Sequence, residues 1–368
     1  MSLDLTLNRE ALLTVLERIV AIVDHNSALP VLRCLRLDAS GDDLTLTASN
    51  LETEIRARLD VTVNQPGSLC LPARQLLSIV KTQPADTELR LRETPERAVL
   101  TAHKSRFQIS RLPAEDFPHL DHDTAGPPFS LPQRTLRQSL IKTLPSMAVG
   151  DVRYYLNGLH LALAANTLIV TATDGHRLAR SVVTLDLPPP VSLDCILANR
   201  AITSLTRLLD ASDAPVTLAL GERHLSVTLP ELVFVTKFVD GRYPDADRVI
   251  PRDLPHRATL DRRELLAAAA RCNILSNDKY HGLRLTFGDH QLDLSANNQE
   301  GDSATDALVI DYAGPEVAIG FNHAYLASLL TVIDTEHVTV DLVDHTSASL
   351  WRGADQTSET FVLMPVRL

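Results

Sequence analysis

Residues 71–77 read LPARQLL, and two later segments, residues 197–202 (LANRAI) and residues 320–326 (GFNHAYL), have the same form. Each segment leaves a strand-like stretch and then places apolar residues at helical spacing. Pro72 and Ala198 are 126 residues apart, and Ala198 and Phe321 are 123 residues apart. The chain therefore repeats itself with a period of about 125 residues, which indicates three similar structural units.

A second set of helix starts has the same period. Residues 7–13 (LNREALL), 131–136 (LPQRTL) and 260–266 (LDRRELL) begin 124 and 129 residues apart. Between the two helices of each repeat, residues 35–48, 159–172 and 283–296 alternate apolar and polar side chains, as strands of a hairpin do. The sequence predicts an α+β fold of three similar helix/antiparallel-sheet repeats, at residues 1–125, 126–254 and 255–368. We expect two helices to cover one face of each sheet.

Composition limits the other possibilities. The 368 residues are 45% apolar but only 4% aromatic, so the cores must be aliphatic. No run approaches the roughly 20 apolar residues that span a bilayer, and the N-terminus does not read as a signal peptide. The four cysteines, Cys34, Cys70, Cys195 and Cys272, form no CxxC pair, so neither a disulfide framework nor a zinc site is expected. These features predict a cytoplasmic protein without a bound metal or cofactor.

The charge is divided between structural elements. The net charge is −11, but the six predicted helices carry twelve basic and six acidic residues, which leaves −17 elsewhere. One interpretation is that these bases lie on solvated helix faces. The other is that all six helices line one surface that meets phosphate, with Arg74, Lys81, Arg134, Arg137, Lys142, Arg200 and Arg207 as candidate DNA contacts.

Helix geometry favours a ring of two chains. Twelve helices packed about 9 Å apart form a circle whose hole, after the helix bodies are removed, is roughly 25 Å wide. Such a hole admits a DNA duplex, and two chains related head to tail would close it by twofold symmetry. A ring holds DNA by topology, so its contacts need not read sequence.

Four motifs carry a family resemblance. Residues 151–158 (DVRYYLNG), 173–178 (TDGHRL), 239–245 (VDGRYPD) and 364–368 (MPVRL) look like the signature segments of bacterial beta sliding clamps, and weaker matches extend into the first repeat. The resemblance implies a DNA clamp fold, a homodimeric ring and a processivity factor of DNA polymerase III without catalytic activity of its own.

The resemblance also implies a cleft between the second and third repeats that binds short peptides. Apolar side chains there form a pocket, and a few polar groups fix an extended peptide. The implied partners are the polymerase alpha subunit, the clamp-loader delta subunit, other polymerases and repair proteins. By motif, the cleft residues are Leu156, Thr173, Gly175, His176, Arg177, Leu178, Pro244, Arg248, Val249, Val362, Met364, Pro365, Val366, Arg367 and Leu368.

Two further sets follow from the resemblance. Phe107 and Ile109 of one chain would meet Ile274 and Leu275 of the other at the ring seam, although all four also suit an ordinary core. Tyr154 and Tyr155 join the candidate DNA contacts, although they too suit packing. Asn26 and Gly150 stand where related clamps carry Arg and Gln for DNA contact, which suggests a weaker or differently placed grip, or a specialised second clamp.

Other classes of protein remain open alternatives. Asp174 beside His176 invites a catalytic interpretation, but no nucleophile accompanies them. His119 and residues 121–123 (DHD) offer metal ligands, but they read better as a solvated linker. No phosphate-binding GxxxxGK[ST] loop occurs, so ATP use would belong to a partner. A protein-binding scaffold without a DNA role would leave the helix bases as exposed decoration.

Overall fold

The computed structural model describes residues 2–120, 126–186, 192–277 and 281–367. Within these residues the strands pair antiparallel and the helices are short, which confirms the α+β class and the threefold repeat. The chain divides into two compact units, Met1–Arg134 with Thr203–Phe238 and Thr135–Ile202 with Val239–Leu368. The division into domains 1–125, 126–254 and 255–368 stays a prediction.

The helices of the described residues lie where the repeat predicts them: α1 (Arg9–Ile19), α2 (Ala73–Thr82), α3 (Gln133–Thr143), α4 (Asn199–Leu208), α5 (Arg262–Asn273) and α6 (His323–Val332). Side chains at the starts explain several of the boundaries. Asn8 accepts hydrogen bonds from the first N–H groups of α1, Asp261 does so for α5 and Asn322 for α6. These caps satisfy donors that have no partner inside the helix.

Strands fill the rest of each repeat in the same order. The first repeat contains β1 (Asp4–Asn8), β2 (Cys34–Ser40), β3 (Asp43–Ser49), β4 (Thr53–Asp60), β5 (Thr62–Gln65), β6 (Gly67–Pro72), β7 (Glu88–Glu93), β8 (Arg97–Ala102), β9 (Ser105–Ser110) and β10 (Leu112–Pro113). The second contains β11 (Phe129–Pro132), β12 (Gly158–Ala164), β13 (Thr167–Thr173), β14 (Arg177–Thr184), β15 (Leu193–Ala198), β16 (Pro215–Leu220), β17 (His224–Leu229) and β18 (Leu232–Lys237).

The third repeat contains β19 (His256–Asp261), β20 (Gly282–Gly288), β21 (Gln291–Asn297), β22 (Ser303–Val309), β23 (Val317–Asn322), β24 (His337–Leu342), β25 (Ser349–Gly353) and β26 (Glu359–Leu363). The first unit holds two sheets, in the orders β5-β1-β7-β8-β9 and β10-β6-β2-β3-β4-β18-β17-β16-β11. The second unit also holds two, in the orders β15-β12-β13-β14-β26-β25-β24-β19 and β22-β21-β20-β23.

Two strand pairings join successive repeats. Strand β4 of the first repeat pairs with β18 of the second, and β14 of the second pairs with β26 of the third. We call these the first seam and the second seam. The compact units follow these continuous sheets rather than the repeats, because each sheet shares backbone hydrogen bonds and one buried face.

The cores are aliphatic, as the composition predicts. Leu, Val, Ile and Ala supply most of the fully buried side chains. The one tryptophan, Trp351, is fully buried against Phe321, and its indole N–H donates to Ser349 Oγ at 2.8 Å. That bond satisfies the polar group that burial would otherwise leave without a partner.

Candidate functional site

The TDGHR motif forms a tight turn at the end of β13. The Asp174 carboxylate accepts from the backbone N–H groups of His176 and Arg177 at 2.9 and 3.0 Å, and from Arg177 Nε at 2.9 Å. Thr173 Oγ1 donates to the carbonyl of Arg177 at 2.7 Å and accepts from Gly175 N at 3.1 Å. The catalytic alternative therefore loses its orienting carboxylate, because Asp174 is committed to building the turn.

Both the backbone and the space around it favour glycine at position 175. Its φ is +89°, in the left-handed region, and an added Cβ would lie 3.1 Å from the guanidinium of Arg153. Arg153 in turn donates to the carbonyl of Asp174 at 3.2 Å and to Asp151 at 2.7 Å. The hydrogen bonds from Arg153 hold the pKa of Asp151 down, at about 2. Arg153 is thus a part of the site that the sequence analysis did not include.

A tyrosine of the third repeat lies against this turn. The Arg177 guanidinium stands 4.3 Å above the centre of the Tyr325 ring, and the His176 ring stacks on Tyr325 at 6.3 Å. Arg177 also donates to Ser328 Oγ at 2.6 Å, one helical turn after Tyr325 on α6. Burial raises the pKa of Tyr325 above its ordinary value. The sequence carried no signal for Tyr325, because only the fold brings α6 to the turn.

The floor beside the turn is apolar. Leu178, Leu350 and Val362 form one buried cluster, and Ala246, Ile250 and Leu254 pack against it partly exposed. Leu178 and Val362 face each other across the second seam. Leu156 belongs to a separate buried cluster with Tyr243, whose hydroxyl accepts from Thr173 N at 2.9 Å. Burial raises the pKa of Tyr243, so this hydroxyl stays neutral.

The rim of this floor is exposed. Met364 and Val249 are 42% and 46% exposed, although both side chains are large and apolar. Met364 N donates to the carbonyl of His176 at 2.9 Å, which fixes the tail to the turn. Pro244 and Arg248 are also exposed, and Arg248 pairs with Asp245 at 3.2 Å. Leu368 lies outside the described residues.

A pocket of about 600 Å³ lies beyond the rim. It is lined by Arg284, Ala318, Ile319, Gly320, His345, Thr346, Pro365, Val366 and Arg367. Val366 N donates to the carbonyl of Gly320 at 2.8 Å, so the tail runs beside β23, an edge strand of its sheet. We call this cavity the tail pocket.

Several helix bases have a structural task that repeats three times. The Arg9 guanidinium of α1 donates to the carbonyls of Val80 and Lys81 at the end of α2, at 3.1 and 3.2 Å. Arg134 donates to Ala211, shortly after α4, at 3.0 Å. Arg262 of α5 donates to Leu330 on α6 and to Thr335 beyond it, at 3.0 and 2.8 Å. These bonds satisfy carbonyls in the last turn of the partner helix or just beyond it, so the basic excess of the helices overstates the charge free for phosphate.

Lys142 was predicted as a DNA contact, and that prediction is wrong. Its side chain is buried, and its ammonium lies 2.9 Å from Glu359 and 3.3 Å from Asp334. The ammonium ties α3 to the start of β26 and the end of α6, and it does not face solvent. The sequence could not separate Lys142 from Arg137, because the rotation of the helix decides which base is buried.

The other predicted DNA contacts are accessible to different degrees. Arg74, Arg200, Arg207 and Tyr154 are exposed, whereas Arg137 and Tyr155 are half-buried. Lys81 pairs with Glu17 at 3.0 Å and Arg134 with Asp213 at 3.4 Å. Tyr154 and Tyr155 contact each other edge to face at 5.8 Å, so packing accounts for part of their role.

Three of the four predicted ring-seam residues are accessible, and one is buried. Ile274 is 79% exposed, Leu275 is half-buried and Phe107 is half-buried on β9, an edge strand. The prediction that Ile109 lies at the ring seam is wrong, because its side chain is 3% exposed and belongs to the core of its own chain. A pocket of about 580 Å³ beside α2 and β9 is lined by Arg74, Gln75, Ser78, Ile79, Arg106, Phe107, Gln108 and Ile109.

The described parts of the chain hold neither a metal cluster nor a membrane-spanning helix. Among those residues, no group of three or more His, Cys, Asp or Glu side chains is placed to hold a metal ion. Residues 121–123 of the candidate metal run lie outside the described residues. No helix in the described ranges is long and apolar enough to cross a membrane.

Comparison with known proteins gives a consistent result along the whole chain. The family models of the DNA polymerase III beta subunit match with the N-terminal domain at residues 3–121, the central domain at 130–245 and the C-terminal domain at 247–367. The beta sliding clamps of Pseudomonas aeruginosa and Escherichia coli K12 are 38% and 36% identical to this chain, and each match covers 99% of both chains.

A solved structure shows the same fold. The crystal structure of the Pseudomonas aeruginosa sliding clamp bound to griselimycin matches with a TM-score of 0.95 and 38% identity, over all of both chains. The chain belongs to the DNA polymerase III beta subunit family, and it is therefore a DNA sliding clamp, a processivity factor rather than an enzyme.

Proposed function

We propose that two copies of this chain close head to tail into a ring around duplex DNA, with the helices lining the hole. The observation that carries the proposal is the pattern of seams. The first and second seams join equivalent strands of successive repeats, and the equivalents that a third such seam would use, β9 and β22, are edge strands. An unpaired edge offers a row of backbone donors and acceptors to another chain.

The internal repeat supports a specific register for that third seam. Phe234 on β18 and Phe361 on β26 are buried at the first and second seams, facing Ile55 and Ala179. Phe107 is their equivalent on β9, and it is half-buried. We infer that the ring seam places Phe107 opposite Ala304 of the other copy, and Arg106 opposite Thr305.

This register can be tested by cross-linking. The double variant with Arg106→Cys and Thr305→Cys should oxidise to a covalent dimer, because facing residues in an antiparallel pair lie within reach of a disulfide. Each single variant is a control and should stay monomeric under denaturing conditions. Light scattering of the unmodified protein should give twice 40.4 kDa across a dilution series. A persistent monomer would contradict the proposed seam. Equal cross-linking in a variant with cysteines at Arg106 and Ala307 would contradict its register.

Encirclement of DNA has its own test. The double variant, oxidised in the presence of nicked circular DNA, should remain on that DNA in high salt and leave when the DNA is cut to a linear form.

The helix surface that faces the hole is tested by charge neutralisation. Changing Arg137, Arg200 and Arg207 together to Gln should weaken DNA binding and lower its salt dependence. The matched control changes three exposed arginines outside the helices, Arg97, Arg223 and Arg252. Equal losses in both triple variants would mean that net charge, and not the helix surface, governs binding.

The second proposed activity is peptide binding at the second seam. The apolar floor of Leu178, Leu350 and Val362, the exposed Met364 and the polar turn at Asp174–Arg177 support an extended peptide with apolar anchors. We propose the polymerase alpha subunit, the clamp-loader delta subunit, other polymerases and repair proteins as partners, acting in the cytoplasm where bacterial DNA lies. Removing residues 364–368 should abolish binding of such a peptide by fluorescence anisotropy. Unchanged affinity would contradict the cleft.

A further inference from the structure

The tail pocket differs in charge from the rest of the protein. Three nitrogen-bearing side chains line it, from Arg284, His345 and Arg367, and no carboxylate is among its lining residues. The chain as a whole carries a net charge of −11. A basic cavity on an acidic protein concentrates anionic ligands, because the fields of neighbouring cations add within a concave wall.

The two arginines of the pocket have no carboxylate partner among the described residues. Arg284 and Arg367 are both exposed, and neither forms an ion pair with the residues that the structure describes. Most other arginines of the second unit behave differently: Arg153, Arg177, Arg180, Arg248, Arg257, Arg271 and Arg352 each pair with an aspartate. Arg284 and Arg367 are therefore available to pair with an acidic group of a bound ligand.

The acidic residue next to the pocket in sequence, Asp344, is bonded within its own turn. Asp344 precedes His345, and its carboxylate accepts from Thr346 N at 2.7 Å and from Ser347 N at 2.8 Å. The backbone hydrogen bond from Thr346 holds the pKa of Asp344 at about 2. The carboxylate is thus committed to its own turn, which fixes the wall that Thr346 contributes.

The backbone also suits an extended ligand. The carbonyl of Gly320 on β23 points to the outer edge of its sheet, where the tail lies, since it accepts from Val366 N. In a strand the N–H and C=O of one residue point to the same side and alternate along the chain. The N–H of Gly320 and both polar groups of Ala318 therefore face the same edge, into the lining of the tail pocket.

We propose that the tail pocket receives an acidic side chain that flanks the apolar anchors of a bound partner peptide. The inference rests on the proposed peptide cleft, because the tail, residues 364–367, forms both the rim of the cleft and a wall of the pocket. The anchors then supply affinity at the second seam, and the pocket supplies preference among partners. Arg284 and His345 become specificity-determining residues, and Arg367 gains that role besides its place in the cleft.

The test uses two synthetic peptides that share two leucines and a phenylalanine as anchors. One peptide carries a pair of Glu residues after the anchors and the other a pair of Gln, and a second such set carries the pair before them. The full-length protein should bind one Glu peptide about fivefold more tightly than its Gln partner, the range of a solvated ion pair. Raising the salt concentration should reduce that preference.

The decisive variants are Arg284→Gln alone and Arg284→Gln with Arg367→Gln. Each should lower the preference for Glu, and the double variant should abolish it, while the affinity for the Gln peptide changes little in Arg284→Gln. The matched control is Arg263→Gln on α5, an exposed arginine whose loss changes the net charge equally. A preference that survives the double variant, or that Arg263→Gln removes as well, would overturn the pocket as its source. An unmodified protein that binds the Gln peptide but shows no preference would overturn the inference alone, whereas failure to bind either peptide would overturn the cleft itself.

Discussion

The two seams within the chain have one backbone design and different side chains. At the second seam, Met364 N donates to His176 O at 2.9 Å, and at the first seam Lys237 N donates to Glu52 O at 2.8 Å. The turns before them also match. Asn50 accepts from the N–H groups of Glu52 and Thr53, as Asp174 does from those of His176 and Arg177.

The side chains on this shared frame determine whether the seam is open to a ligand. Leu178 faces Val362 at the second seam, and Glu54 faces Val235 at the equivalent place in the first. Glu54 is buried, bonded to Arg56 at 2.7 Å and to the N–H of Leu120 at 3.1 Å. The end of the first repeat thereby covers the first seam, because a buried carboxylate must be satisfied and the backbone at Leu120 satisfies it.

The difference shows that strand pairing does not by itself create a binding site. The second seam keeps an apolar floor and an exposed methionine, whereas the first has Lys237 in place of Met364 and Glu54 in place of Leu178. Substitutions that exchange these residues can break or sharpen the comparison.

The largest effect is expected for Leu178→Glu, which gives the second seam the carboxylate of the first. Arg180 stands where the first seam has Arg56, but it already pairs with Asp247 at 2.6 Å. The new carboxylate would be buried against Leu350 and Val362 and should lower the free energy of unfolding by about 3 kcal/mol. Peptide binding should be lost. Leu178→Met is the control, because it keeps an apolar side chain of similar volume. Chemical denaturation and peptide anisotropy measure both effects, and a stable Leu178→Glu protein with normal affinity would contradict the comparison.

The second prediction concerns the bases that fasten each seam. Lys142 at the second seam meets the carboxylates of Glu359 and Asp334, and its equivalent Arg18 at the first donates to the carbonyl of Leu208 at 3.3 Å. Lys142→Met should lower the free energy of unfolding by about 3 kcal/mol, since it leaves a buried carboxylate unpaired. Arg18→Met should cost about 1 kcal/mol, because only a neutral acceptor is left.

The Lys142 effect should depend on pH. Burial raises the pKa of Asp334, but the Lys142 ammonium and a hydrogen bond from Gln356 together outweigh burial, so the pKa lies below its ordinary value. A carboxyl whose pKa is lower in the folded state stabilises the protein above its unfolded pKa and loses that contribution as the pH falls through the folded value. The stability difference between the natural protein and Lys142→Met should therefore narrow below about pH 4. A difference that stays constant from pH 7 to pH 3 would contradict the ion pair as its cause.

The repeat was readable from the sequence because it depends on local patterns. Helix starts such as residues 71–77 and the hairpins around residues 41, 165 and 289 use short-range spacing, and the structure has helices and turns there. The cleft turn was also readable, since Asp174 and Gly175 build it from neighbouring residues. What a segment contacts within a few residues can be predicted from its own chemistry.

The missed features depend on long-range placement. Tyr325 contacts His176 because α6 packs against the turn. Lys142 is buried against Glu359, which is 217 residues away in the sequence. Phe107 and Ile109 lie two residues apart on β9 and share one face of the sheet, yet Ile109 is buried and Phe107 stays half-buried at an edge without a partner strand in the described residues. The charge on a helix therefore predicts that a surface is basic, but not which of its bases face solvent.

A third prediction tests the rim of the second seam. Met364→Lys gives this position the residue of the first seam. It should weaken peptide binding by about tenfold with little change in stability, because the side chain of Met364 is 42% exposed. The reciprocal variant, Lys237→Met, is the control and should bind no peptide, since Glu54 still closes the first seam. Isothermal titration of both variants checks this. Peptide binding gained by Lys237→Met would mean that the rim residue alone makes a site.

The smallest effect is expected for Gly175→Ala in the cleft turn. Gly175 has φ +89°, and Leu51 occupies the equivalent place in the first seam with φ +75°, so the turn itself accepts a side chain. The substitution should cost about 1 kcal/mol from the left-handed backbone, with a further loss of peptide affinity because the new methyl presses on the Arg153 guanidinium. Gly150→Ala isolates the backbone contribution, because φ there is +70° and no atom lies within 4 Å of an added Cβ. The thermal unfolding temperature should therefore shift similarly in both variants, while only Gly175→Ala should weaken peptide binding. Equal peptide affinities in the two variants would show that the Arg153 side chain moves aside without disturbing the turn.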